Sequence, residues 1–170
     1  MVAADRRPRR LRLLSRTLRH ARAPHINIVQ LDVTASLPFR PIFDLVFADV
    51  PCSGLGTLRR DPEIKWRVSP NDLPQLAAQQ KQMLEIAASG VRIGGRLVYA
   101  TCSSEPEEND DVIAEFLARR RDFEPVSREE ISHEAHAGLP AVVDERGRLR
   151  TLPPRHQLEA FFATCLRRVS

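Results

Sequence analysis

Two short apolar runs, each leading into a cysteine-bearing turn and separated by one long helical stripe, constrain the fold most strongly. Phe43-Asp44-Leu45-Val46-Phe47-Ala48 runs into Asp49-Val50-Pro51-Cys52-Ser53-Gly54-Leu55-Gly56, and Arg96-Leu97-Val98-Tyr99-Ala100 runs into Thr101-Cys102-Ser103. Both runs read as buried strands. Between them, Ser69-Pro70-Asn71-Asp72 has the spacing of a capping box that opens a helix. Its predicted buried stripe is Leu73, Leu76, Ala77, Met83, Leu84 and Ala87. Gly90 ends the helix, and Gly94-Gly95 turns the chain into the second strand. Strands alternating with helices argue for a mostly parallel sheet. In an open α/β sheet, reactive groups collect beyond the carboxyl ends of the strands. Two thiols and the Asp49 carboxylate at two such ends are expected to meet over one substrate, which points to an enzyme.

The same alternation extends both ways. Val2-Ala3-Ala4-Asp5 reads as the end of a strand, Pro8 to His20 as a helix with Leu11, Leu14 and Leu18 on its apolar side, and Ile26 to Leu31 as a strand ending at Asp32. After Cys102, Ser104-Glu105-Pro106-Glu107 repeats the capping pattern. Val112, Ile113, Phe116 and Leu117 form the apolar face behind it. Phe123 to Val126 reads as a short strand, Ser132 to Gly147 as loop, and Leu158 to Leu166 as a last strand. The expected class is α/β with a mostly parallel sheet, in one domain of 170 residues.

Composition narrows the setting. The chain is 42% apolar and 28% charged, with no run near the ~18 apolar residues of a membrane helix. Cysteines occur only at 52, 102 and 165, too few and too distant for a disulfide framework, and no Cys-x-x-Cys or histidine pair suggests zinc. A reducing cytoplasm, no metal and no membrane are the expectations. Only Lys65 and Lys81 are lysines, the net charge is +4, and the pI is about 9.5. This balance suits a polyanionic partner, although arginine-biased coding produces the same number. Eight arginines crowd the first 22 residues. An Arg-rich, acid-poor start is also typical of transit peptides, but the leucine stripe favours an ordinary crossover helix.

With both motifs in view, the chain resembles the Sun/Nop family of RNA cytosine-5 methyltransferases. Asp-x-Pro-Cys-Ser-Gly-x-Gly and Ala-Thr-Cys-Ser carry the likeness, separated by a capped helix and Gly-Gly-Arg-Leu-Val-Tyr. It runs from about Val2 to Arg168 and corresponds to the later part of the family's catalytic domain. The resemblance implies a Rossmann-like methyltransferase fold, S-adenosylmethionine as cofactor, and RNA, most directly ribosomal RNA, as partner. It assigns the thiolate that attacks carbon 6 of cytosine to Cys102 and assistance in product release to Cys52. Asp49 is placed against the cytosine edge and among the cofactor-binding acids. Asp5 is implied to take the ribose of the cofactor and Asp32 to lie near its adenine amino group. Arg59, Arg60, Lys65 and Arg67 around Trp66 form the expected RNA-facing loop, in which arginines hold phosphates and the ring stacks on an unpaired base. Core packing is the competing role for Trp66, and helix capping for Asp5 and Asp32.

Three alternatives stay open at this stage. In DNA cytosine methyltransferases the Pro-Cys thiol is the nucleophile, which would exchange the roles of Cys52 and Cys102. A non-catalytic RNA-binding remnant would keep the basic surface alone. A cysteine hydrolase is the third, and it lacks a partner base: His20, His25, His133, His136 and His156 all lie outside the motifs. Cys165, beside no motif, is expected to be a small buried hydrophobe. The family's first strand and its glycine-rich cofactor loop have no counterpart before Val2, nor has an upstream RNA-binding region. The expectation is therefore of exposed strand edges and little activity for these residues alone. Leu158 and Ala160 stand where the family commonly has glycine, so a reshaped loop is expected there.

Overall fold

The computed structural model describes residues 1–23, 25–134 and 139–170. They form two compact units, 1–38 and 39–170. In the first, strands β1 (Val2–Asp5) and β2 (Asn27–Gln30) pair in parallel, with Asp5 opposite Gln30. Helix α1 (Pro8–His20) connects them, with proline in its first turn and Leu11, Leu14 and Leu18 half-buried, while its arginines stay exposed. No residue of α1 is fully buried.

The second unit is built on a five-stranded sheet. Its strands are β3 (Phe43–Asp49), β4 (Val91–Thr101), β5 (Phe123–Pro125), β6 (Arg148–Arg150) and β7 (Phe162–Arg168). The order is β3-β4-β7-β5, with β6 sharing the outer edge of β7. β3 and β4 are parallel, whereas β7 pairs antiparallel with β4, β5 and β6. Helices α3 (Leu73–Ala88) and α4 (Asp110–Arg119) cover one face. A short turn of helix, α2 (Ile64–Arg67), precedes α3. The core lies between this helical layer and the inward residues Val46, Ala48, Leu97, Tyr99, Phe162 and Leu166. Burying a side chain such as Leu84, Leu97 or Phe116 stabilises by about 1.5–3 kcal/mol each. The fold is α/β and Rossmann-like, with a mixed sheet.

Several expectations change in detail. β3 is only half-buried: Val46 and Ala48 face the helices, and the period of two turns Leu45 (56% exposed) and Phe47 (64%) the other way. Gly94-Gly95 does not start β4, which begins at Val91 and carries a register irregularity opposite Phe43–Leu45. The stretch 132–147 is not all loop. Helix α5 (Arg128–Glu134) reaches into it, residues Leu139–Val142 make a 3-10 turn, and Val143 bridges to Leu149. Charge rather than an apolar stripe anchors α5, since Glu130 pairs with both Arg96 of β4 and Arg167 of β7. Residues 135–138 of that expected loop, His136 included, lie outside the described residues. The last strand starts at Phe162 rather than Leu158, because Thr151 accepts the Phe161 N–H at 2.9 Å and donates to the Glu159 carbonyl at 2.5 Å. A helical turn, α6 (Pro153–His156), precedes this connector.

Candidate active site

Register decides where the two cysteines go. Asp49 is opposite Ala100 on neighbouring parallel strands, and the Val50 N–H donates to the Ala100 carbonyl at 3.1 Å. Both chains therefore leave the sheet at one level, with Cys52 three residues beyond on one and Cys102 two beyond on the other. Their sulfurs stand 3.2 Å apart, both half-buried. The exposed Asp49 carboxylate is close enough for its charge to disfavour the Cys102 thiolate.

The glycines of the first motif have separate physical reasons. Gly54 adopts φ 76°, which L side chains rarely tolerate, and bends the chain after Ser53. At Gly56 a Cβ would lie 2.1 Å from the Ala160 carbonyl oxygen and 2.8 Å from that of Cys102. The bare backbone lets the Gly56 N–H donate to the Cys102 carbonyl at 3.0 Å, while its own carbonyl accepts from Ala160 N–H at 2.9 Å. Ala160 is thus buried against the first motif, in the segment where a reshaped loop was expected.

The thiols are electrostatically unequal. A hydrogen bond from Cys52 lowers the Cys102 pKa to about 7, against burial and the charges of Asp49 and Glu108. The same hydrogen bond, together with burial, pushes Cys52 up and keeps it protonated. The pair is thus biased, Cys102 towards the thiolate and Cys52 towards the thiol.

A buried polar network lies beneath both loops. Glu108 is fully buried and has no ion-pair partner among the described residues. Its Oε1 accepts from Ser53 N–H and from Gln80 Nε2, both at 2.8 Å, and its Oε2 accepts from Ser53 Oγ at 2.5 Å. Gln80 Nε2 also donates to the Pro51 carbonyl at 3.0 Å. The Tyr99 hydroxyl donates to the Glu108 carbonyl at 2.6 Å, and burial pushes its own pKa up. Asn109 accepts from Thr101 Oγ1 at 2.5 Å and donates to the Ser103 carbonyl at 2.9 Å. Ser53 and Ser103 hydroxyls are 3.2 Å apart. Leaving any of these buried groups unpaired costs about 1–3 kcal/mol.

Sequence reasoning overlooked this network. Gln80 falls at helical spacing between Ala77 and Leu84, a polar residue on a buried stripe, and that signal was readable. Glu108 and Asn109 directly follow the Ser104–Glu107 capping pattern and look like solvated helix-start residues.

The remaining predicted residues separate into two groups. Arg59 and Arg60, in the loop after the first motif, and Lys65, Trp66 and Arg67, on the helical turn α2, are all exposed. Trp66 is 81% exposed, which removes the core reading, because Ile64 is the buried anchor of α2. Lys65 Nζ lies 4.8 Å from the centre of its ring, Arg67 pairs with Asp61 at 2.5 Å, and Arg60 lies 3.7 Å from Glu159. Asp5 and Asp32 belong to the first unit. Asp5 accepts the Arg7 N–H at 2.6 Å and lies 3.6 Å from Arg10. Asp32 accepts from the Thr34 hydroxyl at 2.6 Å and N–H at 3.0 Å, bonds that hold its carboxyl below the usual range, helped by Arg6. Cys165 is half-buried within β7. No helix among the described residues is long and apolar enough to cross a membrane.

Residues 1–167 match the family described as 16S rRNA methyltransferase RsmB/F. The chain belongs to that family. The ribosomal RNA small subunit methyltransferase B of Thermus thermophilus is 38% identical over 139 residues, which is 82% of this chain and 32% of the relative. A probable enzyme of the same name from Synechocystis is 34% identical over 170 residues, 99% of this chain and 37% of that one. This RsmB/F-family chain thus spans about a third of the length of these curated relatives. Among solved structures, a methyltransferase homologue from Pyrococcus horikoshii superposes with a TM-score of 0.75 at 26% identity, covering 99% of this chain and 53% of that one. NSun6 of the same organism shares the fold, with a TM-score of 0.80 at 24% identity over 99% of this chain and 41% of its own.

Proposed function

We propose that the second unit carries the thiol chemistry of an RNA cytosine-5 methyltransferase acting on small-subunit ribosomal RNA. One observation carries the reading: two motif sulfurs 3.2 Å apart, with Cys102 lowered to about 7 and Cys52 held protonated. Carbon 5 of cytosine is a poor nucleophile. Addition of the Cys102 thiolate to carbon 6 makes the ring an enamine, dividing one hard step into easier ones. Asp49, exposed beside the sulfurs, stands against the cytosine edge, where an acid neutralises the charge that develops at ring nitrogen 3. After methylation a base takes the carbon 5 proton, the C–H pair becomes the carbon 5–carbon 6 double bond, and the Cys102 thiolate leaves with the pair of the C–S bond, a release that Cys52 assists. The assignment of the attack to Cys102 rather than Cys52 follows the family resemblance, and the lowered Cys102 pKa agrees with it.

S-adenosylmethionine, when bound, supplies the electrophilic methyl group. The acids of the first unit suit its nucleoside: Asp5 ends β1, Asp32 follows the parallel strand β2 by two residues, and both offer carboxylate oxygens to hydroxyl and amino donors. Their hydrogen bonds to Arg7 and Thr34 fix the carboxylates and leave acceptor capacity. The exposed loop of Arg59, Arg60, Lys65, Trp66 and Arg67 holds RNA phosphates and stacks on an unpaired base.

The test is covalent trapping. Because little turnover is expected of these residues alone, the assay reads a single covalent event: the Cys52→Ala chain is incubated with 16S rRNA and S-adenosylmethionine and resolved on a denaturing gel. It should accumulate a protein–RNA adduct, and Cys102→Ala should form none. An adduct in Cys102→Ala would reverse the cysteine roles, and no adduct in either variant would reject the activity.

A further inference from the structure

Glu108 and Asn109 are adjacent in the chain, almost fully buried, and each grips the flanks of a different cysteine. Glu108 holds Ser53 directly through its N–H and hydroxyl, and holds the Pro51 carbonyl through Gln80, so both neighbours of Cys52 are fixed. Asn109 holds the Thr101 hydroxyl and the Ser103 carbonyl, so both neighbours of Cys102 are fixed. Among the described residues, the hydrogen bonds of both side chains go to these flanking groups and to Gln80, not to a sulfur. A fully buried carboxyl group is a costly choice for packing alone unless its oxygens are hydrogen-bonded. Here its two oxygens accept three hydrogen bonds, and every one leads to the Cys52 loop.

We propose that Glu108 and Asn109 are a paired set of positioning residues, Glu108 setting the sulfur of Cys52 and Asn109 that of Cys102. The proposal rests on the reading that the two sulfurs serve one reaction. Because the two residues are consecutive, any shift of this turn moves both grips together and preserves the spacing between the thiols. Ser53 and Ser103, 3.2 Å apart, tie the gripped segments to each other.

Closure of a Cys52–Cys102 disulfide measures that spacing without RNA or cofactor. The full chain is treated with diamide, which takes up the two thiol hydrogens, and the bridge is followed by peptide mass spectrometry. The native chain should close it rapidly. Glu108→Ala and Asn109→Ala should slow closure about 10- to 100-fold, the scale on which ångström-sized misplacement weakens an oriented intramolecular reaction. Glu108→Gln should restore closure to within about threefold of the native rate, because an amide can accept the two N–H bonds and donate to the Ser53 hydroxyl. Val112→Ala, which thins the core in α4 without removing a hydrogen bond, should leave the rate unchanged. If Glu108→Ala does not fold, Ser53→Ala takes its place in the comparison with Asn109→Ala. Native closure rates in both gripping variants, no recovery in Glu108→Gln, or an equal loss in Val112→Ala would each overturn the proposal. Clamp-dependent closure in a chain that traps no RNA adduct would reject the methyltransferase reading and leave the clamp standing. The converse result would do the opposite.

Discussion

Replacing Cys52 with alanine should change the chemistry of a different residue in a calculable way. The S–H of Cys52 is the largest cause of the low Cys102 pKa. Burial, Asp49 and Glu108 all act to raise it, and only a backbone hydrogen bond remains to lower it. The midpoint should therefore climb from about 7 to at least the ordinary thiol value near 9. At pH 7 the thiolate fraction then drops from about one half to about one hundredth, roughly 50-fold. A more basic thiolate is a better nucleophile, and a Brønsted coefficient of about 0.4–0.5 recovers roughly 6- to 10-fold. Alkylation of Cys102 by iodoacetamide at pH 7 should thus slow by about 5- to 8-fold. Above about pH 8.3 the variant should react faster than the native chain, so the two pH profiles cross. Site-resolved mass spectrometry separates Cys102 from Cys165. An unchanged midpoint, or profiles that never cross, would falsify the shared-proton account of the pair.

Two further outcomes follow from geometry elsewhere. Gly56→Ala places a methyl group against two carbonyl oxygens, and such overpacking costs about 1–3 kcal/mol, read in calorimetry as a melting point lower by roughly 2–12 °C. A melting point within a degree of native would show that the approach of Ala160 to the first motif is not tight. Trp66→Ala should leave thermal stability within about 0.5 kcal/mol, since the ring is 81% exposed, yet weaken single-stranded RNA binding by about 1–3 kcal/mol. Fluorescence anisotropy with labelled RNA reads the second effect, and unchanged affinity would remove Trp66 from the RNA-facing loop.

The strand–helix alternation was legible because burial acts there through period and capping. α1, α3 and α4 show apolar stripes behind proline or capping signals, and β1, β3 and β4 are short apolar runs closed by Asp or Thr. The convergence of Cys52 and Cys102 was legible for the same reason, since a crossover helix makes the two strands parallel neighbours. What escaped notice was held by polar contacts. α5 has no apolar stripe and is fastened by Glu130, and the first motif rests on Gln80, Glu108 and Asn109, residue types that usually face water. Trp66 was ambiguous because residue type does not say which side of a one-turn helix is anchored, and Ile64 takes that role. The half-exposed face of β3 follows from tertiary placement, which a run of apolar residues does not report.

Trp66 is the only tryptophan in the chain, so all indole emission comes from a single solvated ring. Its spectrum should sit at the long-wavelength limit in the native state and hardly move in denaturant. The usual red shift would be blind to unfolding of this chain. A nucleobase laid on the ring would instead quench a signal with no background from elsewhere, giving the loop a built-in optical probe of occupancy.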